Sequence, residues 1–459
     1  MRAADALLRQ AVAAASVTRI VDVGQGAIER LPRMLAELGL RDAYRVVADR
    51  NTMAAAGERV LAVLRDAGID VRPPVVLDET PRVSPRAETA LHVARVLGGA
   101  ATMPVAVGSG VINDLTKYAA HVAGVPYVSV VTAASMDGYA ASGAALLDGG
   151  FKRTLDCPPP VGIAADLDVV AAAPRSMAAW GYGDLSGKLV AGADWMLADA
   201  LGEDPIDPEP FARVQDNLGN WLAGAGGIAR GDRVALGGLV VGLLVSGFAM
   251  QAHGNSRPAS GSDHQFAHLW EMEHVGIGDE PAAHGACVGV GTVAMLALYE
   301  WFLAQDVRAR ASSIRDATAD ASASEAELAA AFADASLRDS ARREVQAKQA
   351  AASRRGARMR LLAQAWPSLS ARLAARLPAA ATIEHRLAAC GAAAHPEDLG
   401  VSLDGLARDY RRARLIRRRY TLLDCLEDLG WLDRAIGALF AAGGFWRTRA
   451  QSFPAVVRG

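Results

Sequence analysis

Three histidines near the middle of the chain have the spacing of a metal site. His264 and His268 lie four residues apart, so one helix would carry both on the same face. His284 follows at the start of what reads as the next helix. Neutral imidazoles suit divalent ions such as zinc, nickel or iron. The spacing therefore predicts a divalent ion bound by His264 and His284, and surface histidines are the alternative.

A catalytic site of this kind also needs a third protein ligand and an open position for substrate. The best candidate is Asp184, which lies in the glycine-rich stretch 180–188 where a helical pattern begins. A carboxylate at the start of a helix also serves as an N-cap. The residues alone leave both roles of Asp184 open.

The predicted secondary structure that must hold these groups changes near residue 170, from alternating strands and helices to helices. Up to Asp168, short β-rich runs alternate with helical ones, as in a parallel α/β sheet. Beyond it, apolar residues recur at helical spacing almost to the C-terminus. We predict a Rossmann-like α/β nucleotide-binding domain over residues 1–168, an all-α metal- and substrate-binding domain over 169–459, and an active site in the cleft between them. The predicted strands cover residues 18–23, 44–48, 74–77, 105–107 and 127–131, and the predicted helices end at Leu38, Ala67, Leu97 and Ala123.

The first predicted strand and the second both end in residues suited to a nucleotide. Gly24 and Gly26 follow the first strand, where a pyrophosphate can approach backbone N–H groups at a helix N-terminus. The third glycine of the dinucleotide fingerprint is missing. Asp49 ends the second strand, where a carboxylate can accept hydrogen bonds from the adenosine ribose. A helix N-cap is the equal alternative for Asp49.

A second glycine turn and a row of hydroxyls follow later strands. Gly108-Ser109-Gly110 leads into a helix whose positive end can face phosphate, and Lys117 lies about two turns into that helix. Thr132 and Ser135 surround Asp137 at the end of the next strand, where open α/β sheets bind ligands. The recurrence of such turns at successive strand ends predicts a ligand site along this edge.

Composition limits the class of protein. A net charge of -2 over 459 residues argues against nucleic-acid binding as the main activity. Four scattered cysteines without a CxxC motif predict a reducing cytosol and no structural disulfide. Charges interrupt the N-terminal segment before an apolar run reaches signal-peptide length, so we read it as a helix.

Two segments of the second half have unusual composition. The uncharged run 234–250 is short for a bilayer and rich in glycine, so we predict a helix buried in the protein core. The segment 309–363 is rich in Ala and Arg and poor in large apolar side chains. We predict a solvated helical hairpin there, with a disordered insert as the alternative.

The order of these features resembles the metal-dependent polyol dehydrogenases, which include dehydroquinate synthase, glycerol dehydrogenase and the iron-containing alcohol dehydrogenases. Within them, the chain looks most like the sn-glycerol-1-phosphate dehydrogenase family. The resemblance runs from about residue 15 to about residue 435. At Asp263, related sequences often carry Glu. The runs that point to this branch are Ser256-Arg257-Pro258-Ala259-Ser260-Gly261, Trp270-Glu271-Met272-Glu273 and Ile416-Arg417-Arg418-Arg419-Tyr420-Thr421-Leu422-Leu423-Asp424.

The resemblance implies roles for particular residues. The metal ligands would be Asp184, His264 and His284. Asp137 and His268 are candidates for substrate positioning and proton relay, although His268 also suits a support for a ligand. Arg257 and Lys117 are cations suited to a phosphate, and Lys117 is a further candidate for catalysis. Cofactor binding would fall to Asp49, Gly108, Ser109, Gly110, Asp114, Thr132 and Ser135.

The implied activity is the NAD(P)-linked interconversion of dihydroxyacetone phosphate and sn-glycerol 1-phosphate, a reaction of phospholipid metabolism. One divalent ion, zinc, nickel or iron, would polarise the substrate oxygen. NADH is expected over NADPH, because the charge of Asp49 repels a 2′-phosphate. The alternatives are a dehydrogenase of another polyol or sugar phosphate and a lyase or cyclase like dehydroquinate synthase. We expect a cytoplasmic homo-oligomer without an integral membrane segment.

Overall fold

The computed structural model describes residues 2–39, 43–79, 83–98, 102–148, 151–278, 280–314, 325–349 and 354–449. Its contacts divide the chain into two compact units. Unit 1 comprises Met1–Leu185 and Glu209–Pro258, and unit 2 comprises Ser186–Pro208 and Ala259–Gly459. The domain boundary after residue 168 stays a prediction.

A parallel sheet forms the centre of unit 1, as the alternating pattern predicts. The strand order is β1-β9-β6-β5-β2-β3, and β4 also pairs with β2. Each of these pairings is parallel. Two further strands, β7 and β8, form an antiparallel hairpin of their own. The strands of unit 1 are β1 (Ile20–Gly24), β2 (Ala43–Asp49), β3 (Asp70–Val71), β4 (Val75–Leu77), β5 (Met103–Gly108), β6 (Val128–Val131), β7 (Ala144–Asp148), β8 (Phe151–Leu155) and β9 (Gly162–Asp166).

Helices cover both faces of this sheet because its strands are apolar on both sides. Val46 and Val47 show the alternation: Val46 belongs to one core cluster and Val47 to the other. The helices of this part are α1 (Arg2–Ala13), α2 (Leu31–Leu38), α3 (Arg50–Thr52), which continues through a π turn at Met53–Gly57 into α4 (Glu58–Asp66), α5 (Ala87–Leu97), α6 (Gly110–Ala123), α7 (Leu167–Ala172), α8 (Arg175–Ala200), α9 (Pro208–Gln215), α10 (Leu218–Leu222), α11 (Ala225–Arg230) and α12 (Arg233–His253).

The second half of the chain is mainly helical, as predicted, and a short hairpin of β10 (Gly276–Ile277) with β11 (Glu280–Pro281) interrupts it. A single 3₁₀ turn occupies Pro396–Leu399. The helices are α13 (Ser262–Met272), α14 (His284–Leu303), α15 (Val307–Ser313), α16 (Glu325–Ala331), α17 (Ala335–Gln349), α18 (Arg355–Arg376), α19 (Ala380–Ala389), α20 (Leu403–Ala413), α21 (Leu422–Asp428), α22 (Leu432–Phe440) and α23 (Phe445–Arg449).

Two helices, α12 and α14, are long and apolar enough to cross a membrane by composition. The structure buries 72% of the apolar window of α12 and 83% of that of α14. Burial of this extent is typical of core helices. The prediction of a buried helix over 234–250 is therefore confirmed.

The described part of the Ala/Arg-rich segment is mainly helical. Its residues 315–324 and 350–353 lie outside the described residues. Helix α16 buries Leu328, and α17 buries Ala341 and Val345. A few apolar residues thus attach an otherwise polar helical pair to unit 2.

All four cysteines are free and buried, as the sequence predicts for a chain without structural disulfides. Burial raises the pKa of the Cys157 thiol to about 12, and it does the same for Cys390. Burial also raises the pKa of Cys425 well above its usual value.

Candidate metal and nucleotide site

The three predicted metal-site histidines lie together in unit 2. Helix α13 begins at Ser262 and carries His264 and His268 one turn apart, with ring centres separated by 6.2 Å. His284 is the first residue of α14. Its ring centre lies 5.4 Å from that of His264 and 5.9 Å from that of His268. The helix starts thus bring together the imidazoles that the spacing singled out.

Each of the two histidines that are proposed to bind metal has a carboxylate oxygen in contact with its Nδ1 atom. Asp263, which is fully buried, has its Oδ2 atom 2.5 Å from Nδ1 of His264. Glu271 has its Oε1 atom 3.0 Å from Nδ1 of His284. Such a partner fixes the tautomer and the ring orientation, and it leaves Nε2 as the nitrogen that can bind an ion.

Asp184 completes a possible donor set with these two histidines. Each of the three residues offers one ligand atom, and these atoms lie within 4.8 Å of one another. Asp184 is fully buried and lies inside α8, so its reading as a helix N-cap is wrong. One carboxylate and two imidazoles fit zinc, nickel or iron.

The turn that holds Asp137 lies next to Asp184 in unit 1. The backbone N–H of Asp137 donates to Oδ2 of Asp184 over 2.9 Å. The Ser246 hydroxyl donates to Oδ2 of Asp137 over 2.9 Å, from the middle of α12. The buried apolar helix therefore supports the turn, and Asp137 is fixed through both its backbone and its side chain.

A close approach between α12 and this turn requires glycine at position 247. A Cβ atom built there would lie 2.6 Å from the backbone oxygen of Asp137, whereas one at Gly238 of the same helix meets nothing within 4 Å. We expect Gly247→Ala to lower the free energy of unfolding by about 1–3 kcal/mol through this clash. The matched Gly238→Ala should leave it unchanged or raise it by up to about 1 kcal/mol. Urea unfolding measures both, and equal effects would contradict the close approach.

The second glycine turn leads directly into α6. Gly108 ends β5, and a Cβ atom there would lie 2.5 Å from Cβ of Ile112. Ser109 occupies the N-cap position without a side-chain hydrogen bond to the helix, which begins at Gly110. The Ser109 side chain therefore does not cap this helix start, where the nucleotide phosphates are predicted to bind.

Lys117 and Asp114 tie loops to α6. The Lys117 side chain is fully buried, and Nζ donates to Oδ1 of Asp114 and to the backbone oxygens of Gly138 and Gly143, over 2.9 to 3.2 Å. The other carboxylate oxygen of Asp114 accepts the N–H of Ala145. Since an ammonium group has three donors, this pattern favours a positioning role for Lys117 over a direct contact with phosphate.

The remaining predicted residues differ in their surroundings. Thr132 and Ser135 are buried, and the Ser135 hydroxyl lies 3.2 Å from that of Tyr139. Asp49 forms a capping box with Thr52 at the start of α3, as its alternative reading predicts. Arg257 is only 1% exposed.

Sequence reasoning gave no role to several residues around the histidines. Glu271 lies one turn after His268 on α13, so helical spacing offered a signal for it. Asp194 accepts hydrogen bonds from Ser262 and Leu422, which lie far from it in sequence and gave no such signal.

A model of the iron-containing alcohol dehydrogenase family matches residues 22–174. Among solved structures, a glycerol dehydrogenase from Schizosaccharomyces pombe has a TM-score of 0.57 at 15% identity and covers 95% of this chain and 93% of its own. A probable glycerol dehydrogenase from Sinorhizobium meliloti has a TM-score of 0.57 at 16% identity and covers 92% of this chain and 98% of its own. These likenesses show the fold.

Curated relatives show the family. The glycerol-1-phosphate dehydrogenase (NAD(P)+) of Halalkalibacterium halodurans is 37% identical over 282 residues, which are 61% of this chain and 70% of that protein. The protein of the same name from Geobacillus stearothermophilus is 28% identical over 430 residues, covering 90% of this chain and 93% of its own. By these matches, the chain belongs to the glycerol-1-phosphate dehydrogenase family.

Proposed function

We propose that this protein is a metal-dependent oxidoreductase that interconverts dihydroxyacetone phosphate and sn-glycerol 1-phosphate with NAD(H) or NADP(H). The donor set of Asp184, His264 and His284 carries the proposal, because the ligand atoms lie within 4.8 Å of one another. The names of the relatives favour this substrate pair over another polyol and over a lyase or cyclase reaction.

The residues around the proposed metal site would have distinct roles in the reaction. Asp184 and Nε2 of His264 and His284 would hold one zinc, nickel or iron ion. Such an ion supplies a Lewis acid that stabilises negative charge on the substrate oxygen, while the nicotinamide accepts or gives the hydride. Asp263 and Glu271 contact Nδ1 of the two rings, so each ring would have Nε2 left to bind the ion.

Other residues position the substrate and the nucleotide. Asp137 is fixed by Ser246 and by its backbone bond to Asp184, so we propose that it orients the substrate. His268 is the candidate for proton relay. For the nucleotide, we propose that the phosphates bind at the start of α6 and that the ribose binds at Asp49. Thr132, Ser135 and Asp114 shape the loops around that site.

The proposal extends to the cellular setting. Four free, buried cysteines support a reducing compartment, so we propose that the enzyme works in the cytoplasm. We also propose that it is a homo-oligomer.

The decisive experiment is a spectrophotometric assay of NADH oxidation with dihydroxyacetone phosphate. Protein freed of metal and reloaded separately with zinc, nickel or iron should oxidise NADH with at least one of them, and chiral analysis should identify sn-glycerol 1-phosphate. NADH should exceed NADPH in kcat/KM, because Asp49 at the proposed ribose position would repel a 2′-phosphate. Metal-free protein is the control. No turnover with any of the three ions, or an sn-glycerol 3-phosphate product, would contradict the proposed function.

A further inference from the structure

Three consecutive arginines lie in the loop between α20 and α21, and their side chains differ in their contacts. Arg418 pairs with Glu344 through its guanidinium and its backbone N–H, over 2.8 to 3.1 Å. Arg419 donates to the backbone oxygen of Ser260. Arg417 is exposed, and no ion pair or hydrogen bond engages its side chain within the part of the chain that the structure describes. Two of the three cations thus hold the loop, and the third is available.

The loop is fixed to the helix that carries the metal-site histidines. Oδ2 of Asp194 accepts the N–H of Ser262 over 2.7 Å, at the start of α13. Oδ1 of the same carboxylate accepts the N–H of Leu422 over 2.9 Å, at the end of the loop. The side chain of Gln265 also donates to the backbone oxygen of Arg419 over 3.5 Å. The buried carboxylate of Asp194 therefore connects the loop 414–421, the arginine loop, to the start of α13.

Helix α17 also contacts the loop. Nζ of Lys348 donates to the backbone oxygen of Arg414 over 2.7 Å and to the carboxylate of Asp424 over 2.6 Å. Glu344, one turn earlier on α17, holds Arg418. The Ala/Arg-rich segment thus supports both ends of the arginine loop.

The charge of Arg417 reaches the histidine cluster. Burial and then the positive charge of Arg417 lower the pKa of His268 well below its usual value. The surrounding protein lowers the pKa of Arg417 itself, and the carboxylates of Glu344 and Glu271 oppose that change. Arg417 therefore combines an exposed guanidinium with a loop that is hydrogen-bonded to the helix carrying His264 and His268.

We propose that Arg417 binds the phosphate group of the substrate. This inference rests on the proposed function, which supplies a substrate with a dianionic phosphate. Such a dianion is costly to desolvate without a cation, and a guanidinium binds it with two parallel N–H bonds. Of the other two cations considered for this role, Lys117 has its donors engaged by a carboxylate and two backbone oxygens, and the role of Arg257 stays a prediction. Arg417 would thereby set the preference for phosphorylated over plain ketones.

The test compares two substrates and one competitor in the metal-loaded enzyme. Arg417→Ala should raise KM for dihydroxyacetone phosphate by about 10- to 100-fold, the range expected for a charge-assisted contact. The loss with unphosphorylated dihydroxyacetone should be at least about tenfold smaller. Inorganic phosphate, as a competitive inhibitor, should weaken by a similar factor in Arg417→Ala, and Arg417→Lys should recover part of both losses.

Arg411→Ala is the matched control, because it removes a surface arginine that pairs with Asp433 near the end of α20. It should leave KM for dihydroxyacetone phosphate and the inhibition by phosphate unchanged. Metal content and thermal unfolding of each variant show whether the site is intact. Equal losses of Arg417→Ala on both ketones, or an unchanged inhibition by phosphate, would overturn the role of Arg417. A wild-type enzyme that ignores dihydroxyacetone phosphate would instead overturn the proposed function.

Discussion

Replacing His264 by Ala is expected to release the metal and to lower kcat/KM by about a thousandfold or more, while the fold survives. The imidazole supplies one of three protein ligands, and the Lewis-acid contribution of a bound ion is worth several kcal/mol in the transition state. Elemental analysis of the purified variant reports the metal, steady-state kinetics reports the activity, and circular dichroism reports the fold.

His385→Ala is the control for this experiment, because it removes an exposed histidine from α19. It should keep both the metal and the activity. His284→Ala should behave like His264→Ala, since both rings belong to the same donor set. Full activity with undiminished metal in His264→Ala would refute the ligand assignment.

Replacing Asp194 by Ala should be among the most destabilising changes in unit 2. The buried carboxylate accepts four hydrogen bonds, two from Ser262 and one each from Tyr299 and Leu422, over 2.7 to 2.9 Å. Removing it leaves buried donors without an acceptor, each at a cost of about 1–3 kcal/mol. We expect the free energy of unfolding to fall by about 3–5 kcal/mol, because several buried donors lose their acceptor at once. Urea unfolding of wild type and variant measures this difference.

The control is Asp433→Ala on α22, which removes a carboxylate whose side chain is 81% exposed and pairs with Arg411. A surface pair of this kind is worth about 0–1 kcal/mol. A loss below about 1 kcal/mol in Asp194→Ala would mean that water or a rearranged loop satisfies the donors that Asp194 now holds.

The parallel sheet could be predicted because the signals for its strands and turns are local in the sequence. Runs such as that of β2 are rich in β-branched and aromatic residues, and glycine turns occur at the ends of β1 and β5. Strand β9 was not predicted, although it pairs with both β1 and β6. Its residues Gly162–Asp166 are mostly small and have low β propensity, so only the neighbouring strands define it.

The same distinction applies to the candidate site. The structure has the helical arrangement that the histidine spacing predicts, since His264 and His268 share α13 and His284 begins α14. The contacts that support this site, in contrast, join residues that are far apart in the sequence. Asp194 meets Leu422 across 228 residues of sequence, and no periodicity or motif encodes that meeting. Supporting carboxylates are therefore visible only once the chain is folded.

The burial of the native thiols has a practical consequence for labelling. Burial raises the pKa of Cys157 and Cys390 to about 12, which disfavours the thiolate at pH 7, and the thiolate is the species that reacts with maleimides. A cysteine introduced at an exposed position such as Ser368 of α18 has an ordinary pKa and an open approach. Fluorescent or spin probes can therefore be attached to the native background, without first removing Cys157, Cys287, Cys390 and Cys425.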